Sequence, residues 1–189
     1  MRDMGQDAPK GYLLLHLHAH LPFIRHPEDE RFLEENWLNE ALTETYLPLL
    51  LVLEQLVRDG VDFRLSLGLT PTLLAMLDDS LLRARFERKL SGLLDLAEKE
   101  VARHRHNPAL LDTARFYQER LTRVRDAWFG FVGRDVAGAF RRLQERRLVE
   151  IIPSAATHGY LPLLRNEPAS VRAQVRVAVD DFRPRLERD

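Results

Sequence analysis

Two rhythms of apolar and polar positions run along the chain. The stretch 12–18 (YLLLHLH) is nearly continuous in apolar side chains and predicts a short buried strand, with Pro22 marking its exit. Residues 61–68 (VDFRLSLG) alternate and predict a second strand, and the β-branched run 148–152, bounded by Pro153, predicts a third. Between them the period lengthens to that of a helix. Over 34–58, Leu38, Leu42, Tyr46, Leu49, Leu50, Leu53 and Leu56 share one broad face; Pro48 should divide or kink it, and Asp59-Gly60 should end it. Thr70-Pro71 has the form of an N-cap followed by a first-turn proline, opening a short helix through Leu77. Charged amphipathic helices follow over 80–104, over 108–129 behind Asn107-Pro108, and over 134–146; a last one runs from Glu167-Pro168 towards Phe182, ending before Pro184.

Strands separated by helices require parallel crossovers, so the fold class is α/β. A closed parallel barrel needs about eight strands and roughly 250 residues. Three strands in 189 residues therefore read as the opening portion of an incomplete, TIM-like barrel: three parallel strands with an inserted helical region. The polar residues 1–10 read as a disordered tail and 11–189 as the folded part. A three-stranded sheet leaves an apolar edge open, so the isolated chain is expected to self-associate.

Composition narrows the function classes. At 45% hydrophobic and 30% charged, the chain has the make-up of a folded soluble domain. Its net charge of −1 offers no basic surface, and nucleic acid is not an expected partner. The N-terminus lacks the apolar core of a signal peptide, and runs such as YLPLLLVL are too short to span a bilayer, so no membrane partner is expected either. With no cysteine, thiolate catalysis and Cys-type zinc sites are excluded within these residues; a reducing cytoplasm is the expected location.

The polar residues with chemistry stand at strand ends, where ligands of parallel α/β proteins bind. The first strand ends in HLHAHLPF, the second in SLGLTP, the third in IIPSAATHGYLPLL. Alternation puts His16, His18 and His20 on one side and Leu15, Leu17 and Leu21 on the other. One cleft can thus collect His18, His20, Thr70 and His158. A row of imidazoles serves a metal site, a polar substrate site or a hydrogen-bonded core, and the residues leave all three open. Zinc could take His158 as a further ligand, which would make a metal-dependent carbohydrate hydrolase or deacetylase, although no aspartate stands beside the histidines. Thr70-Pro71 reads first as a helix start, and ATHGY as a turn in which Gly159 supplies a positive φ. Trp37 suits either packing or stacking on a sugar ring.

The stretches HAHLPF, EENWLNEALTETYLPLL, GLTPTLL and SAATHGYLPLL, in that order, resemble the N-terminal part of glycoside hydrolase family 57, and within it the 1,4-α-glucan branching enzymes. The resemblance covers about 11–182. It implies a (β/α)7 barrel, no metal or organic cofactor, and retaining double displacement on α-1,4-glucan by a glutamate nucleophile and an aspartate acid/base. It also implies α-glucan as partner and a substrate-contacting role for His18 and His20, which match the two histidines of the family's HxHxP motif. Trp37 and Glu40 match the block after the first strand, His158 the histidine of ATHGY, and Tyr160 follows it. His16 stands where many branching enzymes carry an apolar residue. The family's nucleophile lies in a tryptophan–proline–glutamate motif. Trp37 and Trp128 are the only tryptophans, and neither is followed by Pro-Glu. No residue of this chain is expected to be nucleophile or acid, and the chain alone is expected to be inactive; a non-catalytic glucan-binding relative that keeps the cleft wall is a further alternative.

Overall fold

Three parallel strands in the order β1–β2–β3 form the sheet: β1 is His16–Ala19, β2 Leu65–Leu69 and β3 Val149–Pro153. The computed structural model describes residues 11–29 and 32–186; the expected tail at 1–10 lies outside them. Helix α1 (Glu35–Ala41) and helix α2 (Leu47–Arg58) join β1 to β2, and α3 (Pro71–Asp78), α4 (Ser80–Arg103), α5 (Pro108–Phe129) and α6 (Val136–Glu145) join β2 to β3. After β3 come a single turn, α7 (Leu161–Leu164), which the sequence reading left out, and α8 (Pro168–Leu186).

The first strand is shorter and later than the apolar run suggests. Tyr12, Leu13 and Leu14 are 80–95% exposed, and pairing begins only at His16. β1 lies at the sheet edge, so its length is set by the single partner it pairs with, and β2 offers a ladder only from Leu65. β2 likewise starts four residues later than expected, leaving Val61 and Asp62 exposed ahead of it. Its own residues Ser66 through Leu69 are all buried, as befits the central strand.

Pro48 does not break its helix. The chain stays helical from Glu35 to Arg58 by inserting a π-helical turn at Leu42–Tyr46, which places the proline at the start of α2, where a missing N–H costs least. Gly60, at φ +70°, ends that segment as expected. α8 runs through Pro184 rather than stopping before it. Its last turn is docked: Leu186 is fully buried, and its carbonyl accepts from Gln144 Nε2 at 2.7 Å.

The core lies between the sheet and the helices of the long crossover. Leu67 and Leu69 of β2 join a buried cluster with Leu73, Leu74, Met76 and Leu77 of α3. On α4, Leu82, Phe86 and Leu90 recur every four residues, and Phe86 meets Trp128 of α5 edge-on with ring centroids 4.8 Å apart. The indole N–H of Trp128 is satisfied by Glu87 Oε1 at 3.0 Å. Along α8, Ala178, Phe182 and Leu186 repeat the four-residue interval and are all buried.

Candidate functional site

β1 and β2 present matched patterns across their ladder. Register pairs His16 with Ser66 and His18 with Gly68, and one step further His20 meets Thr70. Each outer imidazole has a hydroxyl: His16 Nδ1 is hydrogen-bonded to Ser66 Oγ at 2.8 Å, and His20 Nδ1 to Thr70 Oγ1 at 3.1 Å. The central one has space instead. A Cβ on Gly68 would lie 2.8 Å from His18 Nδ1, closer than side chains tolerate, and in ordinary contact with His16 Nε2 at 3.5 Å. SLGLT is thus the complement of HLHAH.

Thr70 is the helix start expected of it and more. Fully buried, it caps α3 by accepting from the Leu73 N–H at 3.3 Å, while the same hydroxyl meets His20 and lies 3.2 Å from Thr72 Oγ1. Thr72 Oγ1 in turn donates to the Leu21 carbonyl at 3.3 Å. The cap that begins α3 therefore also sets the orientation of an imidazole on the neighbouring strand.

A fourth histidine arrives from the segment after β3. The His158 ring lies 4.3 Å from that of His20 and 4.8 Å from that of His18, with the rings tilted at 40° and 30°. His18 and His20 stand 6.3 Å apart. Desolvation lowers the pKa of both below the usual 6.5; for His18 the charges of His158 and then His16 add to it, for His20 those of His158 and then His18. The lowered pKa values of His18 and His20 favour their neutral forms, each with one ring nitrogen to donate and one to accept.

The turn that delivers His158 differs from expectation at one atom of backbone logic. The positive φ falls on His158 itself, at +57°, and Gly159 has none. A non-glycine residue in that conformation costs roughly 1–3 kcal/mol and is found where surrounding contacts enforce it. Those contacts come from Gln174 of α8. Its carbonyl accepts from Ala156 N at 3.1 Å, its Oε1 from Thr157 N at 3.0 Å, and its Nε2 donates to Thr157 Oγ1 at 2.7 Å. Gly159 leaves little room beside it: a Cβ there would lie 3.1 Å from Leu164 Cδ1, which would have to shift, and in ordinary contact with Gln174 Cδ at 3.6 Å. Neither Gly68 nor Gln174 was singled out from the sequence; the Gly68 signal was its position two residues before Thr70, facing the histidine row.

The remaining expected site residues stand apart from this cluster. Trp37 and Glu40 of α1 and Tyr160 at the start of α7 are exposed, and no hydrogen bond or ring contact joins them to the three histidines among the described residues. The segment between β1 and α1 is anchored by a pair that sequence reasoning missed. Arg85 of α4 binds Glu35 Oε1 at 2.5 Å and the His26 carbonyl at 2.9 Å, and Glu35 Oε1 also accepts from His26 N at 3.1 Å. As for a metal, the described residues contain no group of three or more His, Asp or Glu side chains arranged to hold one.

Parallel strands with polar side chains gathered at their carboxyl ends define an α/β protein of the class in which ligands bind along that rim. The profile of glycosyl hydrolase family 57 matches residues 14–188, and the chain belongs to that family. It is 38% identical over 173 residues to a 1,4-alpha-glucan branching enzyme of Thermococcus kodakarensis, a match covering 92% of this chain and 25% of that protein. Among solved structures, the alpha-amylase AmyC of Thermotoga maritima superposes with a TM-score of 0.87 at 38% identity, covering 93% of this chain and 33% of that one. A branching enzyme of Pyrococcus horikoshii gives 0.87 at 35% identity, covering 96% and 33%. The chain thus spans about a quarter of the curated relative and a third of each solved one. The expected α/β architecture, three parallel strands forming the N-terminal portion of the family's TIM-like barrel, is borne out.

Proposed function

We propose that this chain forms the histidine-lined wall of an α-glucan site, and that the activity it serves is 1,4-α-glucan branching. In that reaction a retaining double displacement moves a glucan segment to a 6-hydroxyl of an acceptor chain, building a glycogen-like polymer. The observation that carries the reading is the meeting of His18, His20 and His158 at the ends of β1 and β3. The neutral imidazoles of His18 and His20, each able to donate and accept, suit an uncharged polyhydroxyl substrate better than an ionic one. That relatives described as branching enzymes are similar over nearly the whole chain supports branching, while the equally similar amylase keeps hydrolysis as the alternative.

His18 and His20 are assigned direct contact with sugar hydroxyls, with His158 closing over them. Trp37, exposed on α1, is assigned a stacking face for a glucose ring, and Glu40 and Tyr160 hydroxyl contacts at the rim. No residue of this chain is assigned the role of nucleophile or acid, since neither Trp37 nor Trp128 stands before Pro-Glu. No cofactor is invoked, and the cytoplasm, where glucan stores are built, is the proposed location.

Titrating maltoheptaose into the 189-residue chain, with amylose assayed in parallel, tests this. Saturable binding that is weakened by His158→Ala is expected, with neither α-1,6 linkages nor new reducing ends produced. Branch linkages would show that carboxylates within the chain suffice, and reducing ends alone would replace branching with hydrolysis. No binding would remove the glucan reading.

A further inference from the structure

We infer that Gln174 is a positioning residue: acting through Thr157, it holds His158 in its left-handed conformation and so keeps the third imidazole over His18 and His20. α8 is built to deliver it. Gln174, Ala178, Phe182 and Leu186 follow one another at four-residue intervals, the last three are buried, and Gln174 is the polar end of that stripe. Anchoring the lower turns in the core fixes where the carboxamide emerges.

Both ends of that carboxamide are used on one residue. Oε1 accepts from the Thr157 N–H at 3.0 Å and Nε2 donates to the Thr157 hydroxyl at 2.7 Å, while the Gln174 carbonyl takes Ala156 N at 3.1 Å. Three bonds thus converge on the two residues immediately before His158. A further bond, His158 N to Ala155 O at 2.8 Å, closes the turn. With Thr157 fixed by Gln174 and the turn closed on Ala155, the His158 backbone is held at φ +57° and its ring is directed at His18 and His20. Released from Gln174, the turn would relax towards a common backbone conformation and withdraw the ring.

The groups facing this cluster come from three places: β1 and the residue just after it supply His16, His18 and His20, β2 and the cap of α3 supply the hydroxyls of Ser66 and Thr70, and the segment after β3 supplies His158. Besides burial, the only charges depressing the two strand histidines are those of neighbouring histidines, so their titration reports where His158 is. Only the functional consequence, weaker glucan binding, rests on the proposed function.

The test is histidine side-chain NMR of the 189-residue chain across pH, on wild type, Gln174→Ala, Gln174→Glu and Thr157→Val, each with a melting curve. In Gln174→Ala the titrations of His18 and His20 should move up towards the ordinary imidazole value, and His158→Ala should reproduce that move. Gln174→Glu keeps an acceptor for Thr157 N and should stay nearer wild type. Unchanged titrations in a folded Gln174→Ala protein would overturn the proposal. Should that variant not fold, Thr157→Val decides in the same way, because it removes only the hydroxyl. Maltoheptaose affinity should fall about tenfold in Gln174→Ala. If wild type does not bind maltoheptaose the glucan reading fails, and the titrations still decide the role of Gln174.

Discussion

Gly68 faces His18 across the β1–β2 ladder, and a Cβ placed on it would fall 2.8 Å from His18 Nδ1. The central imidazole of the row occupies the space that any other residue would fill. Gly68→Ala should therefore displace the His18 ring and cost about 1–3 kcal/mol of stability through overpacking. Urea unfolding measures the loss and His18 chemical shifts the displacement. A variant as stable as wild type with an unmoved ring would show that the strands can part at no cost.

Thr70 supplies one hydroxyl to two elements, the Leu73 N–H of α3 and the ring of His20. Thr70→Ala should lose about 1 kcal/mol from the cap and also free His20 to rotate. Thr70→Ser retains the oxygen and should recover most of both. Denaturation midpoints separate the two variants, and equal losses for serine and alanine would assign the effect to the methyl group.

The histidine cluster makes stability depend on pH. His18 and His20 have folded pKa values below the ordinary 6.5, so between those values and 6.5 the unfolded chain binds more protons than the folded one. Stability should be fully present above 6.5 and fall as pH drops through the lowered folded values. Melting temperature should be lower at pH 5.5 than at 7.5, and His158→Ala should narrow the gap by removing one source of repulsion. A melting temperature that is flat across this range, or rises in acid, would contradict the arrangement of the three rings.

Glu35 and Arg85 join elements fifty residues apart, and their side chains are only 5% and 10% exposed. Removing one charge from so enclosed a pair strands the other. Glu35→Ala should cost about 3–5 kcal/mol and loosen the His26 segment as well. Chemical denaturation provides the number. A loss below about 1 kcal/mol would place the pair in the class of solvent-screened surface bridges.

Among the described residues both outer strands have an unpaired side, and Tyr12, Leu13 and Leu14 are 80–95% exposed ahead of β1. Sedimentation velocity on the isolated chain should show concentration-dependent association, reduced by placing lysine at Leu13 and Leu14. A monodisperse monomer at high concentration would show that the edge protects itself.

What the sequence determined follows from local periodicity and local turn chemistry. Alternation alone puts His16, His18 and His20 on one face, Thr70-Pro71 starts a helix wherever it stands, and strands spaced by helices pair in parallel. The starts of β1 and β2 were not legible, because a strand is paired only where its neighbour runs beside it, and the helix through Pro184 persists because Leu186 is locked into the core. Nor was the left-handed conformation of His158, which neighbouring residues do not demand and which Gln174 secures from another helix. Gly68 opposite His18 and Arg85 beside Glu35 are likewise decisions of register and packing between residues about fifty positions apart. The tertiary structure decided these because each depends on which distant atom occupies the adjacent space, and a short-range pattern carries no record of that.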